Sequence, residues 1–127
     1  MAPRTALLCT LLALGLALTA AQNANCVTTG LGLLSDCQKE QAYITATFPL
    51  TSPEPITQEQ VDKFVAGKPA DLPTKGCCDA ATAFLKDKCQ CDKTLLSALP
   101  PTVVTPAGLN GTLQVVGKVC KVEVAAC

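Results

Sequence analysis

The chain contains no histidine and no tryptophan, and its 127 residues include only one tyrosine and three phenylalanines. Without histidine, no nucleophile–base pair of the common hydrolase type can be identified, so the sequence disfavours an enzyme. Zinc sites usually combine histidine with spaced Cys-x-x-Cys pairs, and the chain has neither. We therefore expect no metal ion, no cofactor and a core that is mainly aliphatic.

Arginine is nearly absent as well, since Arg4 is the only one. It precedes an uncharged apolar run at 6–18 and the small residues Thr19, Ala20 and Ala21, which is the pattern of a cleaved secretory signal. The run is too short to span a bilayer, because a spanning helix needs roughly 20 apolar residues. We expect a signal peptide at 1–21 and one secreted, extracellular domain at 22–127.

An excess of charge of one sign is also lacking. The expected domain carries nine lysines and ten acidic residues, so its net charge is about −1. This balance favours neither nucleic acid nor an anionic membrane as a partner, and we expect at most a transient membrane contact. We expect the domain to be a monomer.

Cysteine is the residue that the expected domain has in abundance. Cleavage after Ala21 removes Cys9 and leaves eight: Cys26, Cys37, Cys77, Cys78, Cys89, Cys91, Cys120 and Cys127. An even number behind a secretory signal indicates an oxidising compartment and a disulfide framework. Because adjacent cysteines cannot easily bond each other, Cys77 and Cys78 must reach different partners.

Apolar residues recur at three- and four-residue steps in three stretches, which predicts helices. The first helix follows the stripe Leu31, Leu34, Cys37, Gln41, Ile44 and Phe48 and ends at Pro49. The second carries Cys77 and Cys78 and turns Ala81, Phe84 and Leu85 inward. The last begins at Thr105-Pro106, with a buried stripe of Leu109, Leu113, Val116 and Cys120 opposite a wet stripe of Asn110, Gln114, Lys118 and Lys121.

Two shorter helices are predicted between these stretches. Asp92 caps a short turn or helix that ends at Pro100. Within the Pro-rich segment 49–76, Thr57 and Gln60 form a capping-box pattern, and Gly67 ends the helix that follows. We interpret 49–76 as a tolerated surface insertion. The sharper alternatives are a lid over a binding site or an inhibitory loop.

The ordered series C…C…CC…CxC…C…C resembles the eight-cysteine pattern of the plant non-specific lipid-transfer proteins, whose superfamily also holds bifunctional inhibitors and seed 2S albumins. The resemblance covers the whole of 22–127. It implies an all-α fold, a right-handed four-helix bundle tied by four disulfides, here with the extra short helix and an extended C-terminal tail. Because carriers, inhibitors and storage proteins share this fold, it does not by itself decide the function.

In the lipid-transfer members the bundle encloses an apolar tunnel, so a fatty acid or other single-chain lipid is the expected partner. The residues that we expect to line such a tunnel are Leu34, Ile44, Ala81, Phe84, Leu85, Leu99, Leu109, Leu113 and Val116. The Arg and Tyr that some members place late in the chain, at the tunnel mouth, have no match here. We therefore expect chain length to set affinity and the head group to matter little.

The resemblance also reduces the possible disulfide pairings to two. Both contain Cys37–Cys77 and Cys78–Cys120, and they differ in whether Cys26 pairs with Cys91 or with Cys89. Polar Gln90 favours Cys26–Cys91, because a polar residue between the two cysteines should face outward. The short spacings before Cys89 and Cys127 resemble those of the type 2 members of the family, and this resemblance favours the alternative. We predict Cys26–Cys91 together with Cys89–Cys127.

Two other functions compete with lipid carriage. An inhibitor of trypsin or α-amylase would present Lys63, Lys68 or Lys75 on a rigid exposed loop, although no disulfide brackets any of them tightly. A storage protein would be rich in Gln and Arg, which this chain is not.

Asn110 begins the sequon Asn110-Gly111-Thr112, so it is a candidate glycosylation site on the secretory route. It lies on the wet stripe of the last predicted helix, where a sugar would leave the core undisturbed. An unmodified surface asparagine is an equally good interpretation.

Overall fold

Six α-helices and one 3₁₀ turn make up the regular structure of residues 24–127, which are the residues that the computed structural model describes. The helices are α1 (24–36), α2 (Gln38–Thr47), α3 (Gln58–Ala66), α4 (Lys75–Lys86), α5 (Lys93–Ala98) and α6 (Pro106–Cys120), and the 3₁₀ turn is Cys89–Cys91. No strand occurs in this part of the chain. The all-α class is confirmed, whereas the signal peptide expected at 1–21 lies outside the described residues.

Four of the helices begin at a residue whose side-chain oxygen accepts a backbone N–H of the first turn. These caps are Thr57, Thr74, Asp92 and Thr105. At Thr57 the capping box is complete, because Gln60 N donates to Thr57 Oγ1 at 3.2 Å and Thr57 N donates to Gln60 Oε1 at 2.8 Å. The short helix predicted within 49–76 is therefore confirmed as α3.

The single helix predicted before Pro49 is wrong in one respect, because the chain divides it at Cys37 into α1 and α2. Cys37 has φ −106° and ψ 22°, which is outside the helical region, although Cys37 N still donates to Leu33 O and Gln41 N still donates to Cys37 O. The buried face of α1 carries Cys26 and Leu33, so Leu31 and Leu34 lie off that face and are 62% and 57% exposed. The inward orientation predicted for Leu34 is wrong.

The buried side chains form two apolar clusters. The first contains Cys26, Phe84, Leu85, Cys89 and Leu113. The second contains Ile44, Val61, Ala81, Val115 and Val116. Helix α6 contributes to both clusters and packs against α2, α3 and α4, so it is the central element of the fold.

Three buried glycines allow other segments to lie directly on α6. A Cβ at Gly108 would be 2.0 Å from Leu50 O, and a Cβ at Gly117 would be 2.6 Å from Val124 Cγ2. A Cβ at Gly111 would be 3.0 Å from Ile56 Cδ1. Glycine lowers helix propensity by about 1 kcal/mol at each position. Because it has no Cβ, it also allows the loop before α3 and the C-terminal tail to approach the helix closely.

The four disulfides are Cys26–Cys89, Cys37–Cys77, Cys78–Cys120 and Cys91–Cys127. Two of the predicted pairs are confirmed, and the predicted Cys26–Cys91 and Cys89–Cys127 are wrong. The prediction assumed that Gln90 faces outward, but Gln90 is 92% buried and its Nε2 donates to Ala125 O at 3.2 Å. The 3₁₀ turn therefore directs Cys89 into the first cluster, and Cys91 faces the tail.

An ion pair joins α3 to α6 on the outside of the second cluster. Lys118 Nζ lies 3.0 Å from Asp62 Oδ1, and Gln58 Nε2 donates to the same oxygen at 3.0 Å. The hydrogen bond from Lys118, followed by that from Gln58, lowers the pKa of Asp62 below its usual range. Both partners of the pair are about half exposed, so its effect is to hold α3 in register with α6 more than to stabilise the fold.

Helix α6 ends at Lys121, which adopts the left-handed conformation with φ 57° and ψ 40°. Val122 N donates to Gly117 O at 2.8 Å across this turn, as in a Schellman motif. The chain is thereby reversed, and residues 122–127 run without regular secondary structure to the disulfide at Cys127. The prediction that the chain continues as a non-helical tail after the last helix is confirmed.

Candidate functional site

An open cleft of about 1100 Å³ lies beside α6. Helix α6 forms one wall, the tail from Val122 to Cys127 forms another, and Leu96 of α5 and Gln90 of the 3₁₀ turn close one side. This volume is slightly above the range in which proteins usually bind small organic ligands, roughly 300–1000 Å³. The cleft exists because the left-handed turn at Lys121 sends the tail back past the helix.

The floor of the cleft is apolar. Leu109 and Leu113 lie one turn apart on α6, and Val122 and Val124 reach the cleft from the tail. All four belong to the first cluster or pack against it, so the floor is the outer surface of that core. Leu113 is 3% exposed and is mostly core, whereas Leu109 is half-buried and can offer more of its surface to a ligand.

The rim of the cleft is polar. The wet stripe predicted on the last helix supplies Asn110, Gln114, Lys118 and Lys121, and the tail adds Glu123. The two stripes of α6 therefore meet along this cleft, with the aliphatic side chains deep and the polar ones at the edge. This arrangement suits a ligand that has an apolar body and a polar end.

Gln90 fixes the tail wall to the 3₁₀ turn. Its Nε2 donates to Ala125 O, while its Oε1 is buried and has no hydrogen-bond partner. The same side chain lines the cleft. The tail is thus held at three points, namely the turn at Lys121, this hydrogen bond and the Cys91–Cys127 disulfide.

The nine residues predicted to line a tunnel are distributed over several sites. Leu109 and Leu113 line the cleft. Phe84 and Leu85 fill the first cluster, and Ile44, Ala81 and Val116 fill the second. Leu99 is half-buried outside both clusters, and Leu34 is exposed. The sequence stripes thus identify core residues well, but they do not distinguish a filled core from a cavity wall.

The C-terminal wall of the cleft was missed from the sequence. Val122, Val124 and Ala125 line it, and they were interpreted only as part of an extended tail. The brief alternation Val122-Glu123-Val124 was the available signal, because it places two valines on one side of the strand-like segment. The direction in which that side faces depends on the disulfide pairing.

A buried carboxylate was also missed. Glu40 is 3% exposed, and its Oε1 accepts hydrogen bonds from Thr74 N at 2.6 Å and Thr74 Oγ1 at 2.7 Å. It lines a cavity of about 20 Å³ next to Ile44, which is room for about one water molecule. Its partner Thr74 is 34 residues away, so no local pattern indicates that Glu40 is buried.

The three lysines considered for an inhibitory loop lie in structured positions. Lys63 belongs to α3, and Lys75 is the first residue of α4 and pairs with Asp79. Lys68 Nζ donates to Leu72 O at 2.7 Å. Of the segment 49–76, Gln58 alone lines the cleft, so the segment is not a lid over it.

Asn110 is exposed on α6 at the rim of the cleft. Residues 24–127 contain no group of three or more His, Cys, Asp or Glu side chains that could hold a metal ion. None of the helices in this range is long and apolar enough to cross a membrane.

Comparisons with known proteins found no matching family model, no matching curated protein and no matching solved structure. Only the cysteine pattern and the geometry of the cleft therefore bear on function.

Proposed function

We propose that the protein is a secreted carrier that binds a single-chain lipid, such as a fatty acid, in the cleft between α6 and the C-terminal tail. The observation that carries this proposal is the apolar floor of Leu109, Leu113, Val122 and Val124 beneath a polar rim. An acyl chain on the floor would be removed from water, and its polar end would remain at the rim. Four disulfides are in keeping with an oxidising, extracellular compartment.

The free energy of binding would come mainly from the acyl chain. Each methylene that is fully buried contributes about 0.8 kcal/mol, which is about a fourfold change in Kd. Because the cleft is open on one side, we expect each added methylene to lower Kd by about two- to fourfold until the chain fills the cleft. Beyond that length Kd should remain constant.

The proposal includes membership of the lipid-transfer protein superfamily and its right-handed four-helix bundle. Support comes from the eight-cysteine order together with the helices and four disulfides that use all eight residues. The binding site in this chain would be an open cleft beside the last helix in place of an enclosed tunnel. Inhibition of a hydrolase is the less favoured function, because the candidate lysines are helical or hydrogen-bonded.

Leu109→Asp tests the site, with Leu95→Asp as its matched control. Both leucines are half-buried and pack against the first cluster, but of the two Leu109 alone lines the cleft. Leu113 is less suitable because a charge there would sit in the core itself. We expect Leu109→Asp to weaken lipid binding at least about tenfold, since a carboxylate on the floor would have to be desolvated by the ligand.

The measurement is titration with a fluorescent fatty acid, followed by displacement with unlabelled chains of increasing length. Urea unfolding of both variants reports any loss of stability separately. The proposal is wrong if the oxidised wild-type protein shows no saturable uptake. Equal loss of binding in the two variants would place the lipid elsewhere.

A further inference from the structure

Lys121 stands out among the residues of the rim because of its backbone. It occupies the left-handed position that ends α6, with φ 57°, where glycine is the usual residue. A lysine at this position bears a steric cost that glycine or asparagine would reduce. A positive charge near the carbonyl end of α6 is favourable, but Lys118 in the last turn already provides one.

The second observation is the distribution of charge around the cleft. Lys118 and Lys121 are the two cations of the lining, and Glu123 is its one acidic residue. Lys118 is neutralised by Asp62 at 3.0 Å. Lys121 forms no ion pair within residues 24–127, although Glu123 is only two residues away. It is therefore the cation of the rim that remains available to a ligand.

We propose that Lys121 is the specificity-determining residue of the cleft and that it selects lipids with an anionic head group, a carboxylate above all. This inference rests on the proposed function and revises the expectation that the head group matters little. The acyl chain would lie over Leu109 and Leu113, and the carboxylate would emerge at the rim beside the ammonium group of Lys121. A contact at an exposed rim is worth about a two- to fivefold change in Kd.

The test compares palmitate with hexadecanol, which have chains of equal length and differ in charge at about pH 8. Each is used to displace a neutral naphthylamine probe from the wild-type protein and from Lys121→Asn, Lys121→Arg and Lys39→Asn. Asparagine tolerates the left-handed conformation and removes the charge. Lys39 is exposed on α2 and does not line the cleft, so it serves as the matched control.

We expect the wild-type protein and Lys39→Asn to bind palmitate about two- to fivefold more tightly than hexadecanol. Lys121→Asn should lose that preference while its Kd for hexadecanol remains unchanged, and Lys121→Arg should keep it. Salt at about 1 M should remove the preference from the wild-type protein, because an exposed charge pair is screened at that ionic strength.

Equal binding of palmitate and hexadecanol by the wild-type protein would overturn the inference and leave the proposed function intact. If Lys121→Asn weakens the binding of palmitate and of hexadecanol equally, Lys121 only shapes the turn. That result would also overturn the inference. If neither ligand displaces the probe from any of the proteins, the proposed function itself fails.

Discussion

The side chain of Thr74 connects the N-cap of α4 to the buried Glu40 of α2. Its Oγ1 accepts a hydrogen bond from Cys77 N at 3.3 Å and so begins α4, while the same hydroxyl donates to Glu40 Oε1 of α2. The backbone N–H of Thr74 also donates to Glu40. Burying Glu40 to 97% is costly unless its oxygens accept hydrogen bonds. Both bonds from Thr74 reach Oε1, while Oε2 is buried without a hydrogen-bond partner among the described residues.

Thr74→Ala is therefore expected to destabilise the protein by about 2–5 kcal/mol. This sum combines the loss of an N-cap, about 0.5–2 kcal/mol, with the loss of a hydrogen bond to a charged group, about 1.5–3 kcal/mol. Thr57→Ala is the matched control, because Thr57 caps α3 but is exposed. Its expected cost is about 1 kcal/mol.

Urea unfolding of the oxidised proteins measures both values. Equal costs for the two variants would show that the hydrogen bond from the Thr74 hydroxyl to Glu40 contributes nothing to stability.

Helix α6 is the central element of the fold, because it packs against α2, α3 and α4. Its Gly108 and Gly117 weaken it as an isolated helix, yet they are the places where Leu50 and Val124 reach its backbone. Thr105 at its start reinforces the same contact, since its N–H donates to Leu50 O at 2.9 Å. The helix is therefore stabilised by the segments that pack on it more than by its intrinsic propensity.

Gly108→Ala and Gly32→Ala should change stability in opposite directions, although both replace a helical glycine. A Cβ at Gly108 would be 2.0 Å from Leu50 O, so we expect a destabilisation of about 1–3 kcal/mol. A Cβ at Gly32 would meet nothing within 4 Å, so alanine should stabilise α1 by about 0.4–1 kcal/mol.

Thermal unfolding of the two variants checks the signs. A stabilised Gly108→Ala would mean that the loop at Leu50 does not lie against α6 in solution.

At the scale of the whole molecule, the disulfides have unequal roles. Cys26–Cys89 and Cys37–Cys77 are buried among the helices, whereas Cys91–Cys127 joins a half-buried and an exposed residue and holds the tail. The tail forms one wall of the cleft, so this last bond is the one on which the shape of the proposed binding site depends.

Replacing Cys91 and Cys127 together by Ala should weaken lipid binding without unfolding the helices, because the tail is then held only by the turn at Lys121 and the hydrogen bond from Gln90. The expected loss of stability is about 2–4 kcal/mol, and three disulfides remain to hold α1, α2, α4 and α6 together. The control replaces Cys26 and Cys89, which do not line the cleft, and is measured below its own unfolding midpoint. It should lose stability and keep its affinity for lipid.

Circular dichroism reports the helices and the fluorescent fatty acid reports the cleft. Wild-type affinity in the protein without Cys91 and Cys127 would show that the tail is not part of the binding site.

Local sequence signals determined a large part of this protein. The caps at Thr57 and Asp92, the extra helix within 49–76 and the helical stretch at Cys77-Cys78 all depend on residues within a few positions of one another. Such signals act between neighbouring residues, so they can be recognised without knowing how the rest of the chain folds. The even number of cysteines in 22–127 likewise indicated four bridges, and the structure pairs all eight.

Tertiary structure alone decided the remainder. Cys89 and Cys91 are two residues apart, and the bond from Cys26 spans 63 residues, so no local pattern distinguishes the two pairings. The same holds for Leu34, which lies off the buried face of α1, and for Glu40, whose partner is remote in sequence. The cleft itself depends on a tail that is reversed at Lys121 and bonded at Cys127, because a wall formed by two segments exists only after both have packed.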